Sequence, residues 1–190
     1  MIYEDVFRPF VKPLVTKWAE IAFQERENPN TYISKELGFK ISWPNGWVGD
    51  REIGKKIREQ LGFPITVSNP IYILSEKMIH GIRPNINVVV ESVGEENIKY
   101  YTEQSLNVLK SLNIEVLNYH IDDHFNSATL ELRQINPQIG SMFQIQKIII
   151  HNGKAYTITA TELNPEHMEK EPNLVNNIKQ TVQSFSFVEE

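Results

Sequence analysis

The sequence predicts an α+β fold: a central, mainly antiparallel β-sheet flanked by helices, preceded by an N-terminal helical arm. Three observations carry this. The run from Met142 to Leu163 holds Asn152-Gly153 between two β-rich stretches, and Asn-Gly suits a type I′ hairpin turn because both central residues need φ > 0. Leu174, Ile178, Val182 and Phe185 recur at spacings of four, four and three, an amphipathic helix able to cover an apolar sheet face. Strands and helices do not alternate strictly along the chain, which favours an antiparallel sheet over a parallel α/β one.

The hairpin also predicts its own register. With a two-residue loop, His151 faces Lys154, Ile149 faces Tyr156 and Ile145 faces Ala160. Phe143, Ile145, Ile149, Tyr156 and Ile158 then share one face, and Gln144, Gln146, Thr157, Thr159 and Thr161 share the other. Because side chains alternate with period two, one face is expected to be apolar and the other wet.

The remaining elements follow in chain order. Phe7, Phe10, Val11, Leu14, Trp18 and Ile21 recur at helical spacing, so residues 1–30 read as a helical arm. Pro9 and Pro13 place its start, or a kink, near Pro13. Asn28-Pro29-Asn30 ends it, and 31–190 form the body. Tyr32–Ser34 and Phe39–Trp43 read as short strands around Leu37-Gly38, with a turn at Pro44–Trp47. Asp50–Leu61 reads as a short helix, although Gly54 weakens it by ~1 kcal/mol. Ile71–Leu74 and Ile86–Val90 read as strands and Glu95–Leu112 as a helix. Ile114–Ile121 and Thr129–Gln134 complete the strands before the hairpin.

Composition narrows the function classes. A chain of 190 residues that is 41% hydrophobic and 23% charged suits one soluble domain with an extension. Its net charge of −5 disfavours nucleic acid or an anionic membrane surface as the main partner. Lys55, Lys56 and Arg58, flanked by Glu52 and Glu59, read as a solvated helix face. The absence of cysteine removes disulfides, thiol catalysis and thiolate metal sites. No apolar run reaches the ~18 residues of a membrane helix, and no signal-peptide pattern opens the chain. A cytoplasmic protein is expected, with export after signal removal as the alternative.

Catalytic motifs do not appear. There is neither a G-x-S-x-G elbow nor a glycine-rich phosphate loop after a strand. Glu95 and Glu96 complement a helix start. No cofactor is implied, and the expectation is a protein without enzymatic activity. One segment does have metal-ligand chemistry: His120, Asp122, Asp123 and His124. On a continuous strand four residues span ~13 Å, too far for one ion. A three-residue loop, Ile121 to Asp123, would set His120 opposite His124, whereas a polar hairpin tip would leave both imidazoles in solvent.

Two aromatic groups have competing readings. Trp43 and Trp47, with Tyr32 close by, either floor a ligand groove or fill the core. The arm, with Phe7, Phe10, Leu14 and Trp18, either packs on its own sheet or binds another protein or a second copy in a homodimer.

The stretch Leu37-Gly38-Phe39-Lys40-Ile41-Ser42-Trp43-Pro44-Asn45-Gly46-Trp47 resembles the "GF-x-I-x-x-P-x-GW" opening of PsbP-like domains. Pro84-Asn85-Ile86-Asn87-Val88-Val89-Val90 resembles their following strand. Gly153-Lys154-Ala155-Tyr156-Thr157-Ile158-Thr159 resembles their late "G-x-A-Y-x-I-T" strand, and Ile178–Phe187 their closing helix and short strand. The match runs from about Tyr32 to Val188 and excludes the arm. It implies an α/β/α sandwich and an accessory or chaperone-like role, in a superfamily of binding proteins with no shared catalytic apparatus. The matched residues look structural: Gly38 and Gly46 for turns, Pro44 to end a strand, Trp47 and Tyr156 for the core.

Overall fold

The computed structural model describes residues 30–61, 67–79, 83–136, 140–162 and 169–188. The arm residues Phe7, Phe10, Leu14 and Trp18 lie outside them. The elements are β1 (Thr31–Ser34), β2 (Phe39–Ser42), β3 (Trp47–Asp50), α1 (Glu52–Leu61), β4 (Val67–Ser75) and β5 (Asn85–Ser92). Then come α2 (Ile98–Ser111), β6 (Glu115–Asp122), β7 (Ser127–Asn136), β8 (Gly140–His151), β9 (Lys154–Glu162), α3 (Pro172–Gln183) and β10 (Ser186–Phe187). A seven-stranded sheet has the order β3-β4-β5-β9-β8-β7-β6, and a three-stranded sheet the order β1-β2-β10. Every pairing is antiparallel. The fold class read from the sequence is the observed one.

The β8–β9 hairpin adopts the predicted register, with His151 opposite Lys154, Ile149 opposite Tyr156 and Ile145 opposite Ala160. Asn152 and Gly153 have φ of 50° and 69°, the pair of positive values a type I′ turn needs. The expectation of one wet face is only half right. Ile71, Ile73, Ile86, Val88, Val90, Tyr156, Ile158 and Ala160 form the first core, beneath β1–β2 and the α3 residues Leu174 and Ile178. On the opposite face Ile148, Ile150 and Ala155 join Ala128, Leu130 and Leu132 under Ile98 and Leu109 of α2. The reason lies in β8 itself. Ile148-Ile149-Ile150 is a continuous apolar run, and period-two alternation sends its members to both faces. Gln144, Gln146, Thr157 and Thr159 share this second face and stay half-exposed.

Three local departures have physical causes. Trp47 begins β3 rather than closing a turn, because it pairs with Ser75 on β4. β4 runs past Pro70 by shifting register between Ser68 and Ile71, a bulge being where a strand tolerates a residue without an N–H. α2 starts at Ile98, after Glu95 and Glu96, because the Asn97 side chain accepts a hydrogen bond from the Tyr100 N–H at 2.9 Å and caps it.

The small sheet is tied to the large one and to α3 by polar and ring contacts as well as by the core. The Tyr156 hydroxyl donates to the Leu37 carbonyl at 2.7 Å, and the Ser42 N–H donates to Ser184 Oγ at 2.8 Å. His151 stacks on Phe187 with ring centroids 3.9 Å apart.

Candidate functional site

Trp43 and Trp47 sit in the first core, 8% and 3% exposed. The Trp43 ring occupies the space above Gly49, where a Cβ would come within 2.4 Å of it. The structure therefore places both tryptophans as core side chains closing the β3 end of the sheet, and neither presents a ring face as the floor of an open groove.

The His120–His124 segment forms the end of β6 and the turn into β7. Asp122 pairs with Ser127, so the loop is the four residues 123–126 rather than three. His120 consequently lies opposite Thr129, and His124 is in the turn. The Asp122 carboxylate is used there: its Oδ1 accepts from the backbone N–H of His124 at 3.1 Å and of Phe125 at 3.2 Å. Asn126 closes the turn at φ 47° and donates through Nδ2 to the Ile150 carbonyl at 2.9 Å. The two imidazoles are not brought to a common point, and among the described residues no group of three His, Asp or Glu side chains converges as a metal site.

Three buried polar residues elsewhere, Asp50, Ser75 and Thr181, serve the backbone. Asp50 is 7% exposed, and its Oδ1 accepts from the N–H groups of Glu52 and Ile53 at 2.7 and 3.1 Å, capping α1. Ser75 Oγ accepts from the Lys77 N–H at 3.2 Å, and Thr181 Oγ1 donates to the Asn177 carbonyl at 2.9 Å. These groups meet internal demands that burial would otherwise leave costly.

One ionisable contact escaped the sequence reading. The Tyr101 hydroxyl on α2 donates to Glu91 Oε1 on β5, joining helix and sheet across the second face. Burial, then the Glu91 hydrogen bond and charge, push Tyr101 above the ordinary tyrosine value of 10.0. The folded state thus favours the neutral phenol, so its contribution is intact below pH 10 and is lost as pH rises towards the folded value. Alkaline unfolding of Tyr101→Phe is expected to show a shallower loss of stability above about pH 10 than the parent. Superimposable profiles would contradict the assignment. The sequence signal was slight: a tyrosine on the apolar stripe of a helix.

A second feature also went unread. β6 is the outer strand of the seven-stranded sheet and is exposed along most of its length. A trough of about 610 Å³ runs beside it, lined by Leu106, Asn107 and Lys110 of α2 and by residues 114–119. Leu117 and Tyr119 are 39% and 52% exposed there. At one end Arg133 holds Glu115 in an ion pair at 2.6 Å.

The architecture is similar to that of several solved structures. The cyanobacterial PsbP (CyanoP) of Synechocystis sp. PCC 6803 superposes with a TM-score of 0.56 at 14% identity, over 83% of this chain and 91% of that one. The fold is PsbP-like. LpqN of Mycobacterium tuberculosis, involved in cell envelope biogenesis, matches with a TM-score of 0.55 at 11% identity, over 84% of this chain and 90% of that one. The Saccharomyces cerevisiae Ran-binding protein Mog1p aligns over 84% of this chain and 95% of its own, at 12% identity and a TM-score of 0.49. No family model and no curated protein sequence matches the chain. The PsbP-like likeness is therefore one of fold, and function must be argued from the residues. No helix among the described residues is long and apolar enough to cross a membrane.

Proposed function

We propose that the chain is a non-catalytic accessory module that binds and helps assemble a protein partner. Its PsbP-like body is the scaffold, and Phe7, Phe10, Leu14 and Trp18 of residues 1–30 are the contact. The observation that carries this reading is the stripe itself: three aromatic rings and a leucine at helical spacing, N-terminal to the first strand at Thr31. Aromatic anchors of this type supply most of the energy in protein interfaces. The use of Asp50, Ser75 and Thr181 to satisfy backbone groups supports a scaffold role, since those buried polar groups are committed to holding the fold.

The reading is tested by changing all four arm residues to serine in the full chain and comparing capture of the native partner. Truncating several anchors at once is expected to lower partner affinity at least about 100-fold, with the circular dichroism spectrum and Tm of the body unchanged. Undiminished capture would overturn the assignment of the arm. Unfolding of the body would assign the stripe to its own core instead.

A further inference from the structure

We propose that two copies of this chain associate through β6, strand against strand and antiparallel, extending the seven-stranded sheet across a two-fold axis. The two long edges of that sheet are treated differently. At one end β3 is four residues long, with Trp47, Val48 and Asp50 buried. At the other, β6 offers eight residues, five of them exposed, and among the described residues no strand pairs with its outer side. Such an edge presents a row of alternating donors and acceptors, otherwise left to water, that is a template for another extended strand.

Charge selects a second copy as that strand. Topology polarises the edge. Lys110, exposed at the end of α2, lines the trough where β6 begins, and Glu115 beside it is neutralised by Arg133. Exposed Asp123 stands just beyond the other end of β6, after Asp122. Antiparallel pairing lays each copy's basic end along the other's acidic end, two equivalent attractions related by the axis. Parallel pairing would set like against like.

Register follows from side-chain parity. The β6–β7 register shifts between Val116 and Asn118, so regular pairing is confined to Asn118–Asp122. Opposed residues must point to the same face, which puts the two-fold on a residue and not between two. With the axis on Tyr119 the two tyrosines meet. With it on His120, Tyr119 meets Ile121 of the second copy, both from the face that carries α2. In either register the half-exposed Tyr119 is covered at the centre.

Sedimentation of the purified full chain tests this. A dimer is expected at about 100 µM, weakening as salt rises because the end-to-end charges are exposed. Tyr119→Lys, at a half-exposed position, is expected to be monomeric with an unchanged circular dichroism spectrum, a lysine on an edge strand being a natural block to pairing. Lys110→Glu alone and Asp123→Lys alone should each weaken the dimer about tenfold, and the chain carrying both should recover it, because the swapped charges face each other again. A wild-type chain that stays monomeric overturns the proposal. So does a dimer indifferent to Tyr119→Lys and to the charge swap, which would assign self-association to another surface such as the arm. The partner-capture experiment above is independent of either result.

Discussion

Phe39→Ala is expected to lower the unfolding free energy by about 3–5 kcal/mol, the range for emptying a buried phenylalanine site. Phe39 is fully buried and lies where the small sheet, the large sheet and the C-terminal segment meet. Its ring is 5.6 Å from Tyr32, 6.0 Å from Tyr156 and 5.3 Å from Phe185, centroid to centroid. These three belong to different elements, so no single side-chain movement can fill the space left behind. A native domain has only ~5–15 kcal/mol in total, and the variant is expected to sit near its unfolding threshold. Urea titration gives the number. A loss below about 1 kcal/mol would show that the β1–β2 layer is not part of the cooperative core.

Gly54→Ala is expected to run against helix propensity. In an isolated helix, alanine in place of glycine is stabilising by about 1 kcal/mol. Here a Cβ at Gly54 would lie 1.9 Å from the Asn69 carbonyl oxygen and 2.9 Å from its carbonyl carbon. The obstacle is backbone in β4, next to the bulge at Pro70, so a rotamer change cannot relieve it. Overpacking of this kind costs about 3 kcal/mol, leaving a net loss of about 2 kcal/mol. Thermal unfolding of the variant decides the sign. A raised Tm would mean that α1 moves away from β4 at little cost.

Gly54 also shows where sequence reasoning stops. As a local residue it only weakens a helix. Its use, close approach of α1 to a strand that the chain reaches later, is a tertiary fact with no local signature. The β8–β9 hairpin is the opposite case. Turn chemistry at Asn152-Gly153 and period-two alternation are local rules, and together they specified every pairing of that hairpin correctly. The second core was hidden by the Ile148–Ile150 run, where alternation no longer distinguishes the faces.

The candidate sites were less legible than the fold, for the same reason. Whether His120 meets His124 depends on one residue of loop length, and the four-residue turn closed by Asn126 keeps them apart. Whether Trp43 and Trp47 line a groove or a core depends on what packs above them, and Gly49 and β1–β2 supply that packing. The β6 edge was invisible because edge or centre is decided by strand order. The sequence places β6 between α2 and β7 without saying that, among the described residues, no strand pairs with its outer side.

The proposed function makes the PsbP-like body a scaffold and assigns partner binding to the aromatic stripe of residues 1–30. The most direct test compares the intact chain with one lacking residues 1–28, each used to capture partners from the native lysate, with Tm measured in parallel. A specific partner is expected to be held by the intact chain and lost by the truncated one, while both bodies unfold at the same temperature. Equal capture by the two forms, or a truncated body that no longer folds, would contradict it.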